Sequence, residues 1–393
     1  MSMKLVRTIK LRIHEEPQVF QPTISAYTKA FNYTCNVGWN DKDYNGVSLH
    51  HKVYKTTRDY LPSQLAVSAR MKATEALKSA KARLKKGKKV SCPQSKGISI
   101  RYDARSFNVW WDKNEVSFST IKGRVKSKLI VPEYFQQYLS WKRCSADLFI
   151  RNNMVFLHIV VEMEISDHVT NDKFIGCDRG IKKLAVTSDL RFFGGGRVRE
   201  VSRRYKRLRS VLQSKGHSGK RHFRKISSKE NCFRRDVNHC VSKQIVQGLE
   251  AGTTLVLEKL TGLTNNCVHK MRRKKTKDKE RRYEHSSWSY YQLEEFLTYK
   301  AAFKGILIGH VSARYTSRGC SKCGFIARAN RTCQSRFSCK KCSYQCNADL
   351  NASFNIVKNY QNAIGYPGRG TQQSLEAKPP SVFDRAYSPL LVG

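Results

Sequence analysis

The stretch "CSKCGFIARANRTCQSRFSCKKC", residues 320–342, restricts the fold more than any other in the chain. Cys320 and Cys323 are two residues apart, as are Cys339 and Cys342, with 15 residues between the pairs. Two knuckles of this kind bring four thiolates to tetrahedral reach, the pattern of a closed structural zinc site. A redox-active CxxC would need one pair rather than two. Thirteen cysteines could also suggest disulfides, but six of them fall within residues 320–346 and the other seven are scattered singly. Clustered cysteines without a secretory signal point to metal binding in a reducing compartment. Four thiolates leave no open coordination position, so one zinc ion here is expected to hold structure rather than catalyse. Cys333 and Cys346 fall outside the spacing and read as bystanders. The segment is mostly polar and basic with no visible core of its own, so the ion is expected to supply its folding free energy.

Charge decides the class of partner. The 393 residues carry 74 Lys and Arg against 30 Asp and Glu, a net +44, far more than solubility requires. Such an excess attracts polyanions over long range. A membrane surface is one polyanion, but no apolar run reaches the ~18 residues that crossing a bilayer needs. The first 14 residues alternate like a strand rather than forming a signal-peptide core. Nucleic acid is the expected partner, and no membrane is. Three stretches concentrate the charge: 78–89, 197–235 and 270–282. Charge runs are commonly solvated faces; with no acidic segment to offset them, these are expected to contact nucleic-acid backbone. The third also resembles a nuclear-localisation run, read as coincidence.

Periodicity divides the chain into several parts. Residues 3–13 alternate as a strand. A helical region spans 15–89, clearest where Leu65, Ala69, Ala73, Ala76, Leu77, Ala80 and Leu84 keep helical spacing, ending at Gly87 among lysines. From 90 to 170 short alternating runs, with an Asn152-Asn153 turn, suggest a small β-barrel to which the first strand returns. Residues 197–236 hold 15 Lys or Arg against three acids and read as a basic helical hairpin around Gly216–Gly219. The run Leu255-Val256-Leu257 is a buried strand, Leu293, Phe296, Leu297 and Ala301 mark an amphipathic helix, and 306–311 form another strand. The tail from 365 to 393, rich in Gly, Pro, Ser and Gln, is expected to be poorly ordered.

Three carboxylates stand at the ends of these elements. Asp178 follows a strand between Gly176 and Gly180, Glu258 ends the strand "TTLVLEKL", and Asp349 opens a helix seven residues after Cys342. Each has an ordinary reading alone: an Asp in a turn caps its backbone, and an Asp at a helix start satisfies the dipole. Taken together they would repel unless cations neutralised them. Two Mg2+ ions, which prefer carboxylate and phosphate oxygens, would do so and would support phosphodiester cleavage.

"IGCDRGIKKLAVTSD", "LVLEKLTGL", "YKAAFKGILIGHVSARYTSRGCSKCG" and "NADLNASFNI" resemble the split RuvC-like nuclease and zinc segment of the TnpB family. Its members are RNA-guided DNA endonucleases of insertion sequences, related to compact type V CRISPR effectors. The motifs stand in the family's order over residues 174–358, and the resemblance continues more weakly upstream. It implies a multidomain α/β fold: a wedge-like β-barrel (1–14 and 90–170) with an inserted helical recognition domain (15–89), then a ribonuclease H-like nuclease domain (171–311 and 344–364) with an inserted zinc-binding segment (312–343). It further implies that Asp178, Glu258 and Asp349 bind two divalent metals, and that Cys320, Cys323, Cys339 and Cys342 bind zinc. Arg336, three residues before Cys339, matches an arginine that often precedes the second knuckle. It is expected either to steady the scissile phosphate or to be a salt-bridging surface arginine. Cys177 and Arg179 are variants within the first motif.

The function implied is binding of a structured guide RNA, recognition of a short motif beside a DNA target, and cleavage at one RuvC-like site. The protein would work in the cytoplasm, associated with the nucleoid, as a monomer on its RNA. An RNA-guided repressor without cleavage is the alternative, but such members lose acids of the triad, and all three are present. A DNA-binding accessory of transposition would need neither metal site nor guide. The modest length favours a transposon-encoded protein over a CRISPR-associated one.

Overall fold

The computed structural model describes residues 3–165, 170–260, 283–284 and 289–366. The chain divides into two units, 1–167 and 168–393. The basic run 270–282 and the tail from 367 lie outside the described residues.

The first unit is a β-barrel with a helical insertion. Strand β1 (Met3–Ile13) is followed by α1 (Pro17–Asn40), α2 (Gly46–Arg58) and α3 (Ser63–Lys85). Six strands then follow: β2 (Ile100–Asp103), β3 (Phe107–Trp110), β4 (Glu115–Thr120), β5 (Gly123–Ile130), β6 (Lys142–Arg151) and β7 (Met154–Ile165). They form one antiparallel sheet in the order β2-β6-β7-β1-β5-β4-β3, curled into a nearly closed barrel. The first strand does return to it. β1 pairs along its whole length with β7 and at its end with β5, so Leu5, Ile9, Leu11 and Ile13 face the core while Lys4, Lys10 and Arg12 stay exposed. Asn152 and Asn153 both adopt left-handed φ, 49° and 55°, the conformation a two-residue hairpin turn demands. In α3 the predicted stripe is buried at Leu65, Ala69, Ala73, Leu77 and Ala80 and half-buried at Ala76. Leu84 is not; it is 41% exposed, because the helix's last turn runs on past its packing partners. Gly87 closes the segment at φ 68°.

The second unit is built on a five-stranded sheet. Its strands are β8 (Phe174–Asp178), β9 (Lys183–Thr187), β10 (Phe192–Gly194), β11 (Thr254–Lys259) and β12 (Leu307–Ser312), in the order β10-β9-β8-β11-β12. β8, β11 and β12 are parallel; at one side β9 runs antiparallel to β8, and β10 antiparallel to β9. Between the strands come α4 (Gly196–Ser214), α5 (Gly216–Ile226), α6 (Lys229–Gln247) and α7 (Tyr290–Phe303), and α8 (Ala348–Ala363) follows the sheet. The sequence led us to expect one basic hairpin over 197–236; three helices cover it. A turn at Gly216, φ 56°, separates α4 from α5, and a second turn at 227–228 leads to α6, which buries one apolar face.

Helices cover both faces of this sheet, so the central strands are apolar up to the acids at their carboxyl ends. Cys177, Leu255 and Leu257 face a core made with Ile245 of α6 and Leu293, Leu297 and Ala301 of α7. Val256, one residue out of phase, points to the other side and packs with Val311 and Ile356 of α8. On that side Gly176 is obligatory. A Cβ built there would lie 2.0 Å from the carbonyl oxygen of Ser353, so α8 crosses β8 at backbone distance.

A candidate metal-dependent nuclease centre

The period-2 alternation of the strands aims the acids. Asp178 is two residues beyond Gly176 on β8, and Glu258 two beyond Val256 on β11, so both leave the sheet on the α8 face. The strands are parallel neighbours with Cys177 opposite Leu257, so Asp178 and Glu258 stand side by side at their carboxyl ends. The carboxyl ends of parallel strands are where open α/β sheets place their sites. Asp349 sits in the first turn of α8. Asn347 caps that helix, its Oδ1 accepting from the N–H of Asp349 at 3.0 Å and of Leu350 at 3.2 Å.

Asp178 lies within electrostatic reach of the other two acids. Burial, then the charges of Glu258 and Asp349, hold the Asp178 carboxyl well above the usual carboxylate range; Arg331 and Arg179 oppose them. Burial also raises Glu258, which is 7% exposed, against the Thr316 hydroxyl and Arg179. Burial raises Asp349, and Arg331, Lys183 and Lys182 draw it back. Carboxyls gathered this way fit divalent cations, which would relieve the repulsion that protonation otherwise relieves.

Arg336 stands at the surface, and another arginine pairs with Asp349. The guanidinium of Arg336, on a short strand β13 (Arg336–Ser338), donates to Gln345 Oε1 at 2.8 Å at the surface. The arginine paired with Asp349 is Arg331, whose Nη2 lies 3.1 Å from Oδ1 and also donates to the carbonyl of Gln334 at 2.8 Å. The sequence places three arginines, Arg328, Arg331 and Arg336, between the knuckles, with nothing local to rank them.

The four cysteines form a cluster that could hold zinc. Their sulfurs all lie within 4.8 Å of one another, with Cys320–Cys342 and Cys323–Cys339 each at 3.6 Å. Tetrahedral ligation at a Zn–S distance of about 2.3 Å requires sulfur separations of about 3.8 Å. The N–H groups of Lys341 and Cys342 point at Cys339 Sγ from 3.4 and 3.5 Å. Burial pushes the Cys339 thiol up, but these two donors and the neighbouring sulfurs outweigh it and bring the thiol down to about 6.

The knuckles also have a core, contrary to the sequence expectation. Phe337 is fully buried with Cys320, Cys339 and Ala348, and Tyr344 and Cys346 pack against it. β13 pairs with β14 (Gln345–Asn347) to carry the chain into α8. The asparagines of "NADLNASFNI", unassigned by sequence reasoning, fasten the knuckle to the helix. Asn351 accepts from the N–H of Ser321 at 3.0 Å and donates to the carbonyl of Gly319 at 2.8 Å. Asn355 donates to the carbonyls of Thr316 and Gly319 at 2.8 and 2.7 Å. Four residues apart, they line one face of α8.

Comparison with known proteins follows these same segments. A family model described as "Cas12f1-like, TNB domain" matches residues 290–356, and one described as "probable transposase" (OrfB_IS605) matches residues 158–263. The CRISPR-associated endodeoxyribonuclease Cas12f1 of Syntrophomonas palmitatica is 30% identical over 192 residues, 44% of this chain and 36% of that protein. Its namesake from Sulfoacidibacillus thermotolerans is 30% identical over 53% of this chain and 50% of its own length. The TnpB-like protein MJ0751 of Methanocaldococcus jannaschii is 26% identical over 63% of this chain and 90% of its own. The chain thus spans half or less of the length of the two Cas12f1 relatives. Among solved structures, the Cas12f1–sgRNA–target DNA complex superposes with a TM-score of 0.55 at 15% identity, over 86% of this chain and 82% of that one, a likeness of fold. Both family models fall mainly on the unit that carries the acids and the cysteines, and it is there that the chain is similar to the TnpB-like and Cas12f1 proteins.

Proposed function

We propose that the chain is an RNA-guided DNA endonuclease that binds a structured guide RNA, recognises a short motif beside its target and cleaves DNA at one centre. The observation that carries this reading is a buried Asp178 held protonated by burial and by the charges of Glu258 and Asp349, at neighbouring strand and helix ends, in a chain of net charge +44. Names of relatives support it: Cas12f1 is an endodeoxyribonuclease, and its solved complex holds sgRNA and target DNA. In this reading the residues 1–14 and 90–170 act as a wedge, 15–89 as guide-recognition helices, and 171–311 with 344–364 as the nuclease, the segment 312–343 holding one zinc. The protein acts in the cytoplasm, at the nucleoid, as a monomer on its RNA.

Asp178, Glu258 and Asp349 would hold two Mg2+ ions, which when bound supply an activated water and stabilise the leaving oxygen. The chain's own groups do the remaining work. Arg331, held by Asp349 beside the cluster, steadies the scissile phosphate through its guanidinium fork. Lys182 and Lys183, near enough to act on Asp349, add positive potential on the approach. Thr316, beside Glu258, favours the ionised carboxylate against the burial that raises it.

The test begins with RNA. The chain is expressed with its native flanking sequence, and co-purified RNA is sequenced and then replaced by a guide of chosen sequence. Plasmid carrying the matching target next to randomised DNA should be cut with Mg2+, and only when a defined motif adjoins the target. Asp178→Ala should bind the same target without cutting it. Failure of the guide to direct any cutting, or equal cutting by Asp178→Ala, would sink the reading.

A further inference from the structure

The pairing of β8 with β11 stops one residue short of the acids: Cys177 opposite Leu257 is the last matched pair. Glu258 is still paired on its far side with Val311 of β12, but on the Asp178 side no ladder remains. The side chain of Arg179 takes over where the ladder ends. Its Nη2 donates to the carbonyl oxygen of Glu258 at 2.6 Å, and its Nη1 pairs with Glu294 Oε2 on α7 at 2.6 Å and approaches the carbonyl of Tyr290 at 3.4 Å. The other oxygen of Glu294 meets His310 Nε2 on β12 at 2.9 Å. The guanidinium is wholly buried; Nη1 and Nη2 are paired, and Nε has no partner among the described residues. It is also close enough to draw both Asp178 and Glu258 down in pKa.

We propose that Arg179 is a positioning residue that, clamped by Glu294, replaces the missing ladder bond between β8 and β11 and so sets the spacing of the Asp178 and Glu258 carboxylates for divalent metal. This rests on the metal reading above. Two roles for a buried cation beside a metal site predict opposite results. If charge alone mattered, removing Arg179 would lower local positive potential, and the cluster would bind divalent cations more tightly. If position matters, removing it loosens the two strand ends, and binding weakens. Lysine separates the roles again: it keeps the charge, but a single ammonium cannot span Glu294 and the Glu258 carbonyl as the fork does.

The measurement is a Mn2+ titration by electron paramagnetic resonance on the full chain, RNA-free and with its zinc site filled. Binding abolished by Asp178→Asn defines the cluster's own signal. Arg179→Met and Arg179→Lys should both raise the half-saturating Mn2+ concentration by about tenfold, the usual scale for residues that orient metal ligands. Glu294→Gln, which keeps the guanidinium and a hydrogen-bonding partner, should shift it in the same direction by about threefold. Unchanged or tighter binding in the folded Arg179 variants would overturn the proposal. Should Arg179→Met fail to fold, the lysine and Glu294→Gln variants decide by the same criterion. If the parent and Asp178→Asn bind Mn2+ alike, the metal reading itself fails, and the role of Arg179 falls with it.

Discussion

At Asp178 the folded chain stabilises the protonated carboxyl, because burial and two neighbouring acids all disfavour the charge. Between the usual carboxylate pKa and the raised one, the folded state therefore binds more protons than the unfolded state. Stability contributed by this group is greatest at low pH and falls as pH rises through that window. Without Mg2+ or Mn2+, Asp178→Asn should melt above the parent at pH 7.5, because the amide has no charge to bury beside Glu258 and Asp349. The gap should close as pH is lowered toward 4. Calorimetry across pH checks this, and a variant melting below the parent at neutral pH would mean that the acids do not face one another. The two arginines give a second residue-scale outcome. Arg331→Gln should slow guided cleavage by about a hundredfold, the scale of losing one preorganised donor at a developing charge. Arg336→Gln, whose guanidinium reaches only Gln345, should cost little. The reverse order of the two rates would return the role to Arg336.

Helix α8 links three features: the cap at Asn347, the Asp349 carboxylate and the Asn351–Asn355 face that grips residues 316–321. The cysteine knuckle therefore sets where Asp349 enters the cluster. Cys320→Ser or Cys339→Ser should lose zinc and cut strongly less, while guide-RNA binding survives; zinc content and cleavage rate measured together decide it. Zinc lost with cutting unchanged would make the knuckle an appendage. The Phe337 core tempers the expectation that zinc is its sole source of folding free energy, so partial local structure should persist after zinc is removed. On the opposite flank of the same helix, Gly176→Ala should destabilise the second unit by about 3 kcal/mol, because the added methyl meets the Ser353 carbonyl backbone rather than a side chain that could turn away. A denaturant melt with an unchanged midpoint would show that α8 can shift without cost.

Over the whole molecule the net charge of +44 governs association. Affinity for guide RNA should fall steeply with salt, each phosphate contact contributing roughly 0.7 to 0.9 to the log–log slope. Neutralising Arg272, Arg273, Lys274 and Lys275 together, in the basic run outside the described residues, should weaken binding and flatten that slope. Filter-binding across salt concentrations measures both, and an unchanged slope would leave that run a solvated face. Among the described residues no helix is long and apolar enough to cross a membrane.

The classes of element, the cysteine spacing and the placement of the three acids were legible in the sequence, because each depends on local rules: a period of 2 or 3.6, a knuckle of fixed length, a glycine beside a strand end. β1 alternates because one face of it is core, and that alternation shows whatever its pairing partners are. The rest depends on which distant segments meet. Arg331 and Arg336 are indistinguishable along the chain, and only the folded knuckle brings the first to Asp349, 18 residues away. Arg179 reads as an odd variant in a motif until tertiary packing sets it against a carbonyl 79 residues on and a carboxylate 115 residues on. Leu84 satisfies a helical stripe and still ends in solvent, because periodicity records which side of a helix is apolar and not how far its partner extends. Local sequence determines what each segment can be; only the packing of segments far apart in the chain decided which side chains share a site, since those contacts are chosen by the fold's total burial and not by any spacing.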